Sequence, residues 1–411
     1  MAEPAPDETA PYDDGALGVY IHLPFCERLC PYCDFAVVAA RSLEGDVEAR
    51  YTAALRTELE RRRFDFPNRH LETLYFGGGT PSLFRPDSIA VLISSIDAAF
   101  GGSSKRVETT LELNPSTTEI ERLPGFRSAG IDRLSIGIQS FDDTQLKRLG
   151  RAHRAETARE TLRAVRRAGF ENVSIDLIFG GPGQTLEDLQ RDLDEIAEWS
   201  PEHVSTYELT YEPGTPFGRA LAAGKMAFPD EDRTIRMIET IEARLGEIGL
   251  ERYEISSYAR PGRRARHNAR YWQRQAVLGL GMGAHSAESR SERRPHGARR
   301  ANPRSLDAWL EAVESGASVG TDEELSVETA RGEAVFLGLR QREGLSSGAF
   351  EAEFGARPRV FYDAAISKLI DRGWIVEGGK FPADLALTAA GRLLADSVAA
   401  EFVESTGGRD R

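Results

Sequence analysis

From Leu17 to Leu209 the sequence alternates short β-rich runs with amphipathic helical runs, and this rhythm constrains the fold more than any other feature. The strand-like runs are Leu17–Ile21, Leu71–Phe76, Val107–Leu113, Arg133–Ile138, Val173–Phe179 and Val204–Leu209. Between them Asp46–Arg63, Pro86–Ala98, Thr117–Ser128, Glu156–Ala168 and Leu186–Trp199 carry apolar residues near a 3.6 spacing. Punctuation agrees: Asn114-Pro115-Ser116 precedes the third helix, and Gly130 and Gly169 follow helix ends. Six β/α units in series imply an α/β fold with a parallel sheet and right-handed crossovers, either doubly wound or an incomplete barrel.

The rhythm breaks at Glu212-Pro213-Gly214-Thr215-Pro216. A helix over about 230–246 then leads to a short strand, Arg252–Tyr258, and to an Arg- and Gly-rich stretch, Arg260 to Arg300, expected to wrap the barrel mouth. From Leu325 the order becomes three helices, two short strands at Trp374-Ile375-Val376 and Leu385-Ala386-Leu387, and a last helix, as in a winged helix. The expected organisation is a disordered tail over 1–16, a barrel over 17–229, an extension over 230–324 and a winged-helix-like domain over 325–411.

With 52 Lys and Arg against 65 Asp and Glu, the net charge of −13 disfavours nucleic acid as a partner. The winged-helix-like segment itself has 13 acids against 11 bases, which directs it to docking or a lid rather than to DNA. The start, Met1 to Gly15, is acidic and holds Pro4, Pro6 and Pro11, without the basic and apolar regions of a signal peptide. No stretch approaches the ~20 apolar residues of a membrane span, so the expected location is cytoplasmic, with any membrane contact peripheral.

Only three cysteines occur, all within Cys26–Cys33, which rules out a disulfide framework and points to metal or catalysis. Tyr20-Ile21-His22-Leu23-Pro24-Phe25-Cys26-Glu27-Arg28-Leu29-Cys30-Pro31-Tyr32-Cys33 sets them as C-x3-C-x2-C directly after the first strand. Three thiolates on one short loop can converge on an iron–sulfur cubane and leave one iron free of protein ligands. Structural zinc is the alternative. It wants four closed ligands, and His22 would have to be the fourth.

This run resembles the signature of the radical S-adenosylmethionine (SAM) superfamily, whose [4Fe–4S] cluster binds SAM at the unligated iron. Phe76-Gly77-Gly78-Gly79-Thr80-Pro81 is similar to the superfamily's glycine-rich stretch that meets the SAM amino group. Glu112-Leu113-Asn114-Pro115, the run Arg133 to Phe141, and the run Asp176 to Thr185 resemble the family of oxygen-independent coproporphyrinogen III dehydrogenase and its relative, the heme chaperone HemW. The resemblance covers Gly18 to the C-terminus. It implies an incomplete parallel (β/α)6 barrel with SAM contacts at Tyr20, Glu112, Gln139, Arg151 and Asp176, together with Tyr32, Gly79, Thr80 and Thr210.

Two features separate the relatives. The dehydrogenase has a further cysteine two residues after the third, where this chain has Phe35, and it has a long extension before the first strand. His267-Asn268-Ala269-Arg270-Tyr271-Trp272 resembles the chaperone's HNxxYW motif, which implies heme binding. His267, Tyr271 and Trp272 are then heme candidates, with His285 as an alternative axial ligand. Family members often carry cysteine where Met282 stands. The resemblance therefore implies a heme chaperone that binds a [4Fe–4S] cluster, SAM and heme. Its clients would be hemoproteins, including respiratory enzymes at the inner membrane, and a homodimer is among its assemblies. Radical oxidative decarboxylation of coproporphyrinogen III is the alternative function.

Overall fold

The computed structural model describes residues 15–39, 46–101, 106–227, 230–378 and 385–404. The expected disordered tail lies outside the described residues up to position 14.

The six units form as the periodicity requires. Strands β1 (Ala16–Leu23), β2 (His70–Gly78), β3 (Glu108–Leu113), β4 (Arg133–Gln139), β5 (Val173–Phe179) and β6 (His203–Glu208) lie side by side in chain order, each parallel to the next. Helices α1 (Asp46–Arg62), α2 (Pro86–Phe100), α3 (Thr117–Ala129), α4 (Asp143–Arg148), α5 (Ala155–Arg167) and α6 (Leu186–Trp199) occupy the crossovers. Local chemistry sets their ends. Ser116 accepts from the Glu119 N–H at the start of α3, Thr185 and Asp188 form a reciprocal cap on α6, and Gly130 closes α3 in the left-handed region.

Successive strand residues face opposite ways, and here the two faces differ sharply. Leu17, Val19, Ile21, Phe76, Leu111, Leu134, Ile136, Ile175 and Val204 are buried beneath the helices. The opposite face carries Tyr20, Tyr75, Glu112, Ser135, Asp176 and Ser205. A parallel barrel ordinarily fills its interior with branched apolar side chains. This lumen is polar, so it is built to hold water or a polar ligand.

The Arg- and Gly-rich stretch does not wrap the mouth as expected. It forms α7 (Arg266–Trp272), below the N-terminal ends of the barrel strands, and strands β9 (Val277–Leu280), β10 (His285–Glu288) and β11 (Ala298–Ala301) that extend the sheet beyond β1. The cause is pairing. Val277 to Leu280 are apolar and fully buried against β1, while Arg266 and Arg270 both reach the Glu72 carboxylate and Arg270 also donates to Ala16 O at 2.7 Å. Only the turn at Gly281–Ala284 returns to the mouth. The single strand read at Arg252–Tyr258 is two short strands, β7 (Glu251–Arg252) and β8 (Ser257–Ala259), which cap the other sheet edge as an antiparallel hairpin beside β6. β12 (Thr321–Glu324) completes a sheet of 12 strands among the described residues.

A second core, including Val335, Leu339, Phe350, Ile366, Leu369, Ile375, Val398 and Phe402, belongs to the C-terminal segment. Its α8 (Val327–Arg340), α9 (Ser347–Phe354) and α10 (Pro358–Asp371) precede an antiparallel pair, β13 (Ile375–Glu377) and β14 (Leu385–Leu387), in winged-helix order. Among the described residues no helix is long and apolar enough to cross a membrane.

Candidate functional site

The cysteine loop leaves β1 at the C-terminal end of the barrel. Its base is closed by a two-residue parallel pairing of Phe25–Cys26 with Val38–Ala39. The glycine run at the end of β2 braces it from below: Gly79 N donates to Leu23 O and Thr80 N to Phe25 O, both at 2.9 Å. A Cβ on Gly79 would lie 2.6 Å from the Pro24 carbonyl carbon, so only glycine permits this approach. Gly78 adds a φ of +115°, and its Cβ would strike the His22 ring at 2.6 Å.

All three cysteines are half-buried. Thr80 Oγ1 points at Cys26 Sγ over 3.8 Å, and Arg151 Nη1 lies 3.6 Å from Cys30 Sγ. A hydroxyl and a guanidinium aimed at two sulfurs suit thiolate ligands, whose charge they offset. Burial pushes the Cys26 thiol up to about 11, so it needs such support, or a metal, to ionise. Among the described residues no group of three His, Cys, Asp or Glu side chains is drawn together as a single metal ion requires. His22, the fourth ligand of the zinc alternative, has both ring nitrogens engaged, with Tyr20 OH at 3.1 Å and Ala36 O at 2.7 Å. Three half-buried thiols on one loop, two of them met by a hydroxyl and a guanidinium, suit a multi-iron group held by three thiolates.

Beneath the loop the lumen collects the expected SAM contacts. Glu112 accepts from Tyr75 OH at 2.7 Å and from Gly78 N at 3.1 Å, yet burial raises its carboxyl to about 7, with the nearby Asp176 adding to the shift. Asp176 accepts from Ser135 at 3.0 Å and from Ser174 at 3.2 Å, and burial lifts it too. Arg133, 1 % exposed, supplies the opposing positive charge. Several lumen-side groups keep an open valence: among the described residues Gln139 Oε1 and Arg151 Nε are buried without a partner, as are Thr110 Oγ1 and Arg133 Nε. Gln139 also holds a φ of +68°. Buried carboxylates, an orphan amide oxygen and an orphan guanidinium N–H match a ligand bearing both ammonium and carboxylate, as SAM does.

Arg151 also donates to Gly137 O at 2.8 Å and bonds Asn114, which in turn donates to Thr80 at 2.7 Å. Tyr32 packs at 6.3 Å from Phe217 and lies near Cys30 and Arg151. Thr210 lies exposed just past β6. The motifs did not single out Tyr75, Asn114, Arg133, Ser135 or the lumen-facing Tyr207. The signal that would have found most of them is the polar residue at every second strand position.

The heme candidates divide. His267 is 1 % exposed, its two ring nitrogens bonded to Thr73 Oγ1 at 2.8 Å and Tyr271 OH at 3.2 Å. Burial, then Arg270 and Arg133, depress its pKa to about 3, so it is neutral and fully engaged. In this arrangement neither nitrogen is open to an iron, contrary to the axial role expected of it. Trp272 is half-buried under the Arg340 guanidinium, 5.2 Å from its ring centre. His285 is exposed at the turn from β9 to β10, which packs on the cysteine loop where Gly283 faces Ala36.

Comparison with known proteins agrees with this architecture. Residues 20–196 match the radical SAM superfamily and residues 325–394 the HemN C-terminal domain. The chain is 31 % identical to the heme chaperone HemW of Bacillus subtilis, over 93 % of this chain and 98 % of the relative. It is 35 % identical to the heme chaperone HemW of Mycobacterium tuberculosis, over 95 % of each. Among solved structures, the fold matches the coproporphyrinogen III oxidase HemN of Escherichia coli, a radical SAM enzyme, with a TM-score of 0.78 at 23 % identity, over 94 % of this chain and 90 % of that one. A polar lumen under a three-cysteine loop, a C-terminal winged-helix unit and full-length similarity to these relatives place the chain in the heme chaperone HemW family of the radical SAM superfamily.

Proposed function

We infer that the protein is a heme chaperone, with a [4Fe–4S] cluster on Cys26, Cys30 and Cys33 and SAM in the lumen beneath it. When bound, the cluster supplies an electron and an open iron that SAM can chelate. The chain's own residues do the rest. Glu112 and Asp176 offer carboxylates to the cationic parts of SAM, Gln139 and Arg151 offer an acceptor and a donor, and Thr80 and Arg151 steady the thiolates.

The observation that carries the heme reading is the surface at the mouth. Phe35 and Leu29 on the cysteine loop are 71 % and 48 % exposed, and Ala36, next to Phe35, meets the turn that presents His285. Arg304 reaches the same loop, donating to Asp34 O at 2.5 Å. Flat apolar surface, an accessible imidazole and a guanidinium are what a heme face, its iron and its propionates need. His285 is therefore the axial ligand in this reading, and the clients would be hemoproteins, respiratory enzymes of the inner membrane among them.

Heme titration of purified protein should give a Soret band that His285→Ala weakens or shifts. The same protein with cluster, SAM and reductant should leave coproporphyrinogen III unconverted, with SAM cleavage measured alongside to show that the preparation is intact. Efficient formation of protoporphyrinogen IX would overturn the chaperone reading.

A further inference from the structure

The helix that carries His267 sits at the far end of the barrel from the cysteine loop. Its contacts are with the starts of strands: His267 N donates to Glu108 at 3.1 Å, Arg266 and Arg270 hold Glu72, and Arg270 holds Ala16 O. From there the His267 ring points up the lumen. It stacks on Tyr75 with ring centres 5.1 Å apart and planes 28° apart, and on Tyr20 at 6.3 Å and 30°. Tyr20 and Tyr75 stack on each other at 6.0 Å. Tyr271 meets the same imidazole edge-on at 5.4 Å.

Each tyrosine above the floor passes the contact on. Tyr75 donates to Glu112 at 2.7 Å. Tyr20 bonds His22, and His22 bonds Ala36 O on the segment that closes the cysteine loop. The floor is thus tied both to the lumen carboxylate and to the loop. The packing leaves no slack: a Cβ on Gly77 would lie 2.9 Å from both tyrosine rings and 3.2 Å from Glu112.

We propose that His267 and Tyr271 are positioning residues of the SAM pocket, forming a floor that fixes Tyr75 and Tyr20 and through them the Glu112 carboxylate. The proposal rests on the reading of the lumen as the SAM site. A neutral imidazole has one donor and one acceptor, so it can bond both the Thr73 and Tyr271 hydroxyls at once and holds its ring at a single angle. Glu112 is faced by Tyr20, Tyr75, Arg133, Asp176, Tyr207 and Tyr271. Of these Tyr75 alone donates a side-chain hydrogen bond to it among the described residues.

The test is SAM binding by equilibrium dialysis to the anaerobically reconstituted full chain, across pH, for His267→Asn, Tyr271→Phe, Tyr75→Phe and the His267→Asn/Tyr75→Phe pair. Tyr271→Phe removes one hydroxyl and keeps the reading open should the histidine variant fold poorly. Both floor variants should bind SAM about three- to tenfold more weakly, the worth of one loosened hydrogen bond. The midpoint of the pH profile should move upward, because the Tyr75 bond that holds the Glu112 carboxyl down has loosened. Iron content and the Soret band should stay as in the parent. In the Tyr75→Phe background, His267→Asn should add little, because the two act through one contact.

Unchanged affinity and pH profile in both floor variants, or additive losses in the pair, would overturn the positioning role. So would a lost Soret band with SAM affinity intact in His267→Asn, which would make that imidazole the heme ligand. Glu112→Gln separates this from the underlying reading: if it binds SAM as tightly as the parent, or the parent binds none, the lumen assignment itself fails.

Discussion

Arg151 touches two parts of the site at once, its Nη1 lying 3.6 Å from Cys30 Sγ while its Nη2 donates to Gly137 O at 2.8 Å. One guanidinium thus locks the cysteine loop to the lumen wall. Ala substitution of Cys26, Cys30 or Cys33 should each abolish the reconstituted cluster, read as iron and sulfide content. Arg151→Ala should keep the iron and lose SAM affinity by about tenfold or more, as a charge-assisted contact is worth roughly 1.5–3 kcal/mol. Full iron in all three cysteine variants would refute the ligand set.

Glu112 makes SAM binding pH-dependent. Its carboxyl, lifted to about 7 by burial, is neutral below that pH and charged above it. Affinity for the cationic ligand should rise as pH passes upward through about 7, and Glu112→Gln should flatten that rise. The linkage to folding has the opposite sign: a raised carboxyl pKa contributes stability that is present below the ordinary value and lost as pH rises through 7. Ligand-free protein should therefore gain thermal stability at pH 8 from Glu112→Gln and little at pH 5.

Glu58 is fully buried and accepts from Gly281 N at 2.8 Å, Asn302 Nδ2 at 2.7 Å and Trp309 Nε1 at 3.1 Å. It pins the turn that leads to His285. Glu58→Ala leaves three donors without this acceptor and should cost roughly 3 kcal/mol or more in denaturant unfolding, with Glu58→Gln milder. Equal midpoints for parent and Ala variant would contradict this.

Arg274, at a φ of +52°, joins the barrel to the C-terminal unit. It bonds Glu333 at 3.0 Å and Glu353, whose side chain is 2 % exposed, at 2.7 Å. Arg274→Ala strands a buried carboxylate and should cost roughly 3–5 kcal/mol. Limited proteolysis should then release the C-terminal unit sooner than in the parent. An unchanged digestion pattern would show that the junction is held elsewhere.

The six strands were legible in the sequence to within about two residues at most ends, because each shows its apolar outer face and helix ends such as those before Gly130 and Gly169 carry a stop signal. The three cysteines were legible as one group because they share a short loop after the first strand, whereas Glu112 and Asp176 were marked only by resemblance to family motifs and both lie within strands on the lumen face. Arg260 to Arg300 was misjudged for a physical reason. Arg270 looks like a surface residue in sequence and is 1 % exposed, since the Glu72 carboxylate and the Ala16 carbonyl, both distant in the chain, hold it together with the nearby Ala276 carbonyl. The same holds for His267. Local sequence marks it only as the first residue of the HNxxYW motif, and contact with Thr73, 194 residues away, turns it into the lumen. The sequence by itself determined the rhythm of elements and the ligand chemistry, which depend on neighbours a few residues apart. Only the tertiary structure decided which polar side chains share the lumen and which imidazole is accessible, because burial and pairing there are set by strands that meet across the sheet.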